Sequence, residues 1–377
     1  MGPDHLGGNM KDERAHLQLF DLIARDWMLA SPATGVTFNA DDSAVAFACG
    51  DGAVFLAATA DKESSNTRIR RAVDTARVTI APRSKSFAPL KPADYTEGRK
   101  SDVVRHGARN FAFAKTNGRV NTLTPGGIAV HLPCKGTGEV AALAITSDGN
   151  TLAYACGDTV YLTASDADEK LGLLAPAGIN GLAFSPDNTT LAVAHDHGVT
   201  LWNVANADDA SLTLPLAGSP VAVDWRADGA WLSVRLKSTG FCTVDIATHK
   251  SYPHGNFPSH VLSVAFGGAT NSVVAAGAFR VAAWGLDDQR DIMSGKAGLV
   301  LINAVATCPT RNLVAVGYAN GLLSLAEIGR PSEILLREDT GAGITAMAWS
   351  TNGKFLAVAG ADGSAALVEF PDSMFKS

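Results

Sequence analysis

Cys49, Cys156 and His195 each end an apolar run just before a turn of Gly and Asp, in AVAFACGDG, TLAYACGD and TLAVAHDHG. A thiolate and imidazole set of this kind is what zinc or copper(I) prefers. The plainer chemistry is that a cysteine ending an apolar strand acts as a small hydrophobe, and that a turn aspartate bonds its own backbone. No metal or other cofactor is therefore expected, and a metal-binding or metal-delivery role for Cys49, Cys156 and His195 is the alternative reading. The five cysteines, at 49, 134, 156, 242 and 308, are odd in number and contain no C-x-x-C pair, which describes reduced thiols and not a disulfide framework.

His249, His254 and His260 lie in HKSYPHGNFPSH at intervals of five and six, which is not the spacing of a helical ligand pair. Pro253, Gly255 and Pro258 predict an irregular loop with three solvated histidines, and Tyr252 and Phe257 as a contact patch. A second concentration of chemistry is charge. Lys62 to Arg109 holds 12 Lys/Arg against 5 Asp/Glu, a net of +7, which leaves −13 elsewhere because the total is −6. Its core of Arg68, Arg70, Arg71, Arg77, Arg83, Lys85, Lys91, Arg99, Lys100, Arg105 and Arg109 could hold an acidic partner by electrostatic attraction. Only Phe87 and Tyr95 interleave it, too few for a single-stranded nucleic-acid platform. The bland account is a solvated insertion, or one whose ions pair with the acidic body of the same chain. The chain has no G-x-S-x-G elbow, phosphate-binding lysine loop, H-E-x-x-H or glycine-rich dinucleotide fingerprint, so no catalytic residues are assigned. The acid pairs Asp41-Asp42, Asp208-Asp209 and Asp287-Asp288 fall in predicted turns and read as solvated.

These residues recur at fixed places because the elements that carry them recur. An apolar strand ending in a large residue, a polar turn, a second apolar strand, a tight turn and a third strand appear in order from Ala183 to Val204. The same order returns at Ala348 to Phe370, Ala144 to Ala164 and Thr37 to Ala58. Taking Ile145, Phe184, Trp225, Phe266, Thr307 and Trp349 as equivalent gives intervals of 39, 41, 41, 41 and 42. A near-constant period of this size predicts radially repeated four-stranded antiparallel blades, an all-β propeller. Seven signatures start near Gly35, Glu139, Asn180, Val221, Val261, Val305 and Ile344. About 104 residues separate the first two, and within them FAFAKTNGRVNTL at Phe111 to Leu123 reads as a hairpin with an Asn-Gly turn. Eight blades follow, the second basic and enlarged or degenerate at about 62–127, with seven blades and an insertion as the alternative.

Leu17, Phe20, Ile23 and Trp27 form a helical stripe in residues 12–29, so a short N-terminal helix is expected to lead into a strand at Trp27 to Ala30 that closes the last blade. Residues 1–11 read as a flexible leader, Met10 as an alternative start, and 12–377 as one domain. There is no apolar run of 18 residues and no apolar segment behind a basic N-terminus, which predicts a cytoplasmic protein without a membrane span.

The FSPD turn at Phe184 to Asp187, the LAVA strands at Leu191 and Leu356, the Asp-Gly turns at Asp51 and Asp362 and the ending Leu201-Trp202-Asn203 resemble the WD-repeat β-propeller family. The family's Trp-Asp ending is reduced here to Trp202-Asn203 and Trp284-Gly285, and its Gly-His dipeptide is missing. The resemblance, which extends to single-chain bacterial members, implies a rigid non-catalytic platform that binds proteins through one face of its disc. The residues expected to do so are Arg68, Arg70, Arg71 and Arg83 in the basic segment. On the turn face they are His195, His197, Arg235, Arg280 and Tyr318. A ring that closes on itself needs no second copy, so a monomer is expected, with nucleic acid and membrane outside its partners.

Overall fold

The computed structural model describes residues 17–71, 78–93, 103–115, 117–132, 136, 138–164, 178–205, 211–238 and 240–375. Residues 1–11, Arg77, Tyr95, Arg99, Lys100, Cys134 and Asp208-Asp209 lie outside them. Eight antiparallel sheets stand in a ring, each with its first strand innermost. Those inner strands are Ala33–Phe38, Val104–His106, Val140–Ile145, Ile179–Phe184, Pro220–Trp225, Val264–Phe266, Ile302–Thr307 and Ile344–Trp349. Among the described residues blades three and six contain three full strands, and blade six is completed by the single bridges Val281 to Ser294 and Trp284 to Asp291.

The repeat period has a physical origin in the last residue of each inner strand. Ile145, Phe184, Trp225, Phe266, Thr307 and Trp349 all form the final pair before the first turn, opposite Leu152, Leu191, Leu232, Val273, Val314 and Leu356. A side chain there fills the wedge between neighbouring blades, and its polar tip can reach the next backbone. Trp225 Nε1 donates to Ala183 O at 3.0 Å, Trp349 Nε1 to Ala306 O at 3.0 Å and Thr307 Oγ1 to Phe266 O at 2.6 Å. In those three seams burial of the side chain and satisfaction of a carbonyl on the next blade are thus done by the same residue. The middle strands, such as Ala44–Cys49 and Thr190–His195, are buried along nearly their whole length, so they read as continuous apolar runs.

Ring closure joins the two ends of the sequence. Ala24–Met28 pairs antiparallel with Ser364–Glu369, from Ala24 opposite Val368 to Met28 opposite Ser364, and supplies the outer strand of blade eight. The helix before it is only Leu19–Ile23, capped by the Gln18 N–H donating to Asp21 Oδ2 at 2.8 Å. Trp27, the last member of the expected helical stripe, is in the strand instead. Its indole donates to Ala88 O at 3.0 Å and lies edge-on to Phe87, so extended pairing wins over helical periodicity in that half of the segment.

Blade two is small, with four strands from Val104 to Leu132 and the expected hairpin, Asn110–Ala114 and Val120–Leu123, at its centre. The basic insertion belongs to blade one. It leaves after Val54–Ala58, forms a one-turn helix at Asn66–Arg68 and a hairpin of Ile69–Arg71 with Val78–Ile80, and returns as the outer strand Lys91–Pro92. No helix among the described residues is long and apolar enough to cross a membrane.

Candidate functional site

Strand direction divides the ring into two ends. The turns between second and third strands, and the entries to the inner strands, share an upper end, because inner strands start where second strands stop, as Ile179 opposite His195 and Pro220 opposite Leu236 show. The turns between first and second strands, and the departures of third strands, share the lower end. The basic insertion follows the third strand of blade one and so lies at the lower end. His195, His197, Arg235, Arg280 and Tyr318 lie at the upper end, so the two groups of candidate residues cannot form one surface.

At the lower end much of the basic segment is spent on the ring itself. Arg68 is only 5% exposed, and its guanidinium donates to the carbonyls of Glu63 at 3.0 Å, Ala81 at 2.8 Å and Leu22 at 2.6 Å. Arg83 is ion-paired with Asp61, which Arg25 also approaches at 3.8 Å, and the two guanidinium groups hold that carboxyl below its usual range against the cost of burial. Arg68 and Arg83 therefore fasten the insertion to blade one and to the closing segment. Arg70 and Arg71 are exposed. Asp42, expected to be solvated, is 5% exposed at φ 56°, where its carboxylate accepts from Thr351 N at 2.9 Å, Thr351 Oγ1 at 2.6 Å and Asn352 N at 3.0 Å. It ties blade one to blade eight.

At the upper end His195 is 0% exposed. The backbone N–H of His197 donates to its Nδ1 at 3.3 Å, so the proton sits on Nε2, 2.9 Å from Thr200 Oγ1. Burial lowers its pKa, keeping the ring neutral. Cys49 and Cys156 are buried in separate apolar clusters, between blades eight and one and between blades two and three. Among the described residues no three His, Cys, Asp or Glu side chains gather as a metal would require. Tyr318 is buried, its hydroxyl donating to Glu333 at 2.9 Å, and burial beside that carboxylate pushes its pKa up. His254 and Phe257, expected in a solvated loop, are buried as well. Lys250–His254 is the outer strand of blade five, His254 stacks on Phe241 at 4.6 Å, and desolvation lowers its pKa to about 4. His197 and His260 are exposed.

Sequence reasoning missed a set of exposed apolar residues at this end. In six blades the inner strand carries a bulge at its second residue, where one residue escapes pairing; in three of them that residue's polar side chain bonds a backbone carbonyl, Thr34 to Ala48, Asn180 to Pro220 and Thr345 to Ala33. In blade five that residue is Val221, which is exposed. Leu262 enters blade six beside it, with Arg235 Nη1 donating to the Leu262 carbonyl at 2.9 Å. Phe279 heads the next turn, and Gly298 N donates to its carbonyl at 3.1 Å, which brings Leu299 alongside. Leu262 and Phe279 are exposed and Leu299 is 96% exposed. Arg280, whose Nε donates to Gly295 O at 3.0 Å, is fixed at the border. Four large apolar side chains thus stand exposed at the upper end of three adjoining blades, near two arginines held by backbone carbonyls. The only sequence signal was four isolated apolar residues at loop ends, which no periodicity marks.

Residues 305–374 match the family described as the Anaphase-promoting complex subunit 4 WD40 domain, and residues 172–203 match the WD domain, G-beta repeat. No curated protein matches the chain. Among solved structures, the computationally designed Ika8 protein superposes with a TM-score of 0.65 at 16% identity, covering 93% of this chain and 99% of its own. U3-55K gives 0.53 at 17%, over 92% and 98%. The β-propeller domain of Myceliophteria thermophila Cps50 (Swd1) gives 0.52 at 16%, over 71% and 99%. At these identities the structures share the fold alone.

Proposed function

Because the chain is a WD-repeat β-propeller, we propose that it is a non-catalytic protein-interaction scaffold whose docking surface is the upper end of blades five to seven. The observation that carries this reading is the cluster of Val221, Leu262, Phe279 and Leu299 bordered by Arg235 and Arg280. Exposed apolar side chains on a rigid ring supply contact area with little ordering cost, while fixed guanidinium groups favour an acidic rim on the partner. His197 stands at the same end. Arg70 and Arg71 at the lower end provide a separate basic spot for electrostatic steering, consistent with one protein partner at each end. Buried cysteines at 49, 156, 242 and 308 suit a reducing compartment, the cytoplasm in this reading.

The test is affinity co-purification at low and moderate salt with the intact protein, a Leu262→Asp, Phe279→Asp, Leu299→Asp variant, and an Arg70→Ser, Arg71→Ser variant. A stoichiometric protein lost with the first variant, and rebinding to purified wild-type chain, supports the upper docking surface. Retention of every stoichiometric partner by that variant would sink it.

A further inference from the structure

The lower mouth of the central channel holds a cavity of about 550 Å³, within the size range of small-molecule sites. It is walled by the first turns of blades five, six and seven, at Arg226 to Asp228, Gly267-Gly268 and Pro309, and reached from the far side by Arg105 of blade two. One level of the channel wall can be followed around the ring, at the next-to-last pair of each inner strand. It is Ala144, Ala183, Ala265, Ala306 and Ala348 in five blades and Thr37 in blade one. In blade two it is Arg105, opposite Phe111, and in blade five Asp224, opposite Ser233. At this level the other blades carry small neutral residues, of which Ala265 lines the cavity, and the two charged ones, of opposite sign, both line it.

Neither charge is used by the fold. The other ions of the cavity satisfy each other, Arg226 with Asp228 at 3.4 Å and with Asn271. Among the described residues the side chains of Arg105 and Asp224 make no hydrogen bond or ion pair. Asp224 is open to cavity solvent, yet so enclosed by protein that desolvation pushes its carboxyl up to about 6, with Arg235 pulling weakly the other way. A carboxylate and a guanidinium that face one cavity without a protein partner are free to meet the opposite charges of a ligand.

We propose that this mouth binds a small zwitterion, its ammonium on Asp224 and its carboxylate on Arg105. Salt bridging at both ends selects for molecules bearing both charges, and the cavity's apolar lining, which includes Val264, Ala265 and Phe266, admits a short aliphatic spacer. The site is at the end opposite the proposed docking patch and does not depend on it.

The experiment is isothermal calorimetry on the full chain at pH 7.5 with ω-amino acids from β-alanine to 6-aminohexanoate, and with butylamine and butyrate as single-charge controls. At least one zwitterion is expected to bind saturably in the millimolar range or tighter, at least tenfold better than either control. Asp224→Asn and Arg105→Gln, each checked for an unchanged circular dichroism spectrum, are each expected to weaken it at least tenfold. Absence of saturable binding by every ω-amino acid to the wild-type chain overturns the proposal. So does equal binding of the single-charge controls, or loss in only one of the two variants.

Discussion

His254 shows how far a residue's environment can depart from its sequence context. It sits between Phe241 and Trp284, each ring 4.6 Å away, with Nε2 against Thr243 Oγ1 at 3.2 Å. The unfolded chain takes up a proton near the usual 6.5, while the folded ring waits until about 4. The unfolded state therefore binds more protons between those values, and stability that is complete above pH 6.5 falls as the pH drops toward 4, by on the order of 3 kcal/mol. His254→Phe is expected to flatten that part of a urea-derived stability curve. Asp224, with its raised carboxyl, tilts the curve in the opposite sense at the acid end, so parent and variant are compared at each pH. Asp42→Asn, which keeps a side chain tolerant of positive φ but loses the charge, should cost about 1 to 2 kcal/mol in the same assay. Arg68→Ala should cost about 3 kcal/mol by stranding buried carbonyls, and Arg71→Ala less than about 0.5. Sequence type could not separate Arg68 from Arg71 or Asp42 from Asp41, because the partners that distinguish them, such as Leu22, Ala81 and Thr351, are remote in the chain.

Elements were more legible than residues. The 41-residue spacing of Phe184, Trp225, Phe266 and Thr307 survives in the sequence because each must fill the same wedge. The hairpin of blade two was visible from its Asn-Gly turn, but the ownership of the basic segment was not. An outer strand of two residues, Lys91–Pro92, leaves no pattern, so the return to blade one cannot be read from sequence. The histidine loop was misread for a related reason. Pro253 suggests a break, yet in an outer strand it faces no further neighbour and is tolerated. The closing strand tests the importance of such edges. Deleting residues 1–28 should leave Ser364–Glu369 unpaired on one side, lowering the melting temperature and producing concentration-dependent association in light scattering. A deletion variant that stays monomeric with an unchanged melt would refute that role.

The whole molecule has two addressable ends, each built from loops that join the sheets. The upper patch and the lower Arg70-Arg71 spot belong to opposite ends and share no contacts among the described residues. Variants at the two are therefore expected to act additively on binding, within about 0.5 kcal/mol, in a double-mutant cycle with any partner obtained. Closure has a further consequence, in time and not in space. Ala24 pairs with Val368, so the strand that completes blade eight is synthesised before its partner and must wait for it across 344 positions, from 368 less 24. Contacts of that separation form late and slowly. On the ribosome the early segment would travel as an unpaired, partly apolar strand beside blades that are already folded, and during that interval it is open to chaperones and to neighbouring chains. The last blade thus acts as a latch, and the chain's most exposed moment comes just before it shuts.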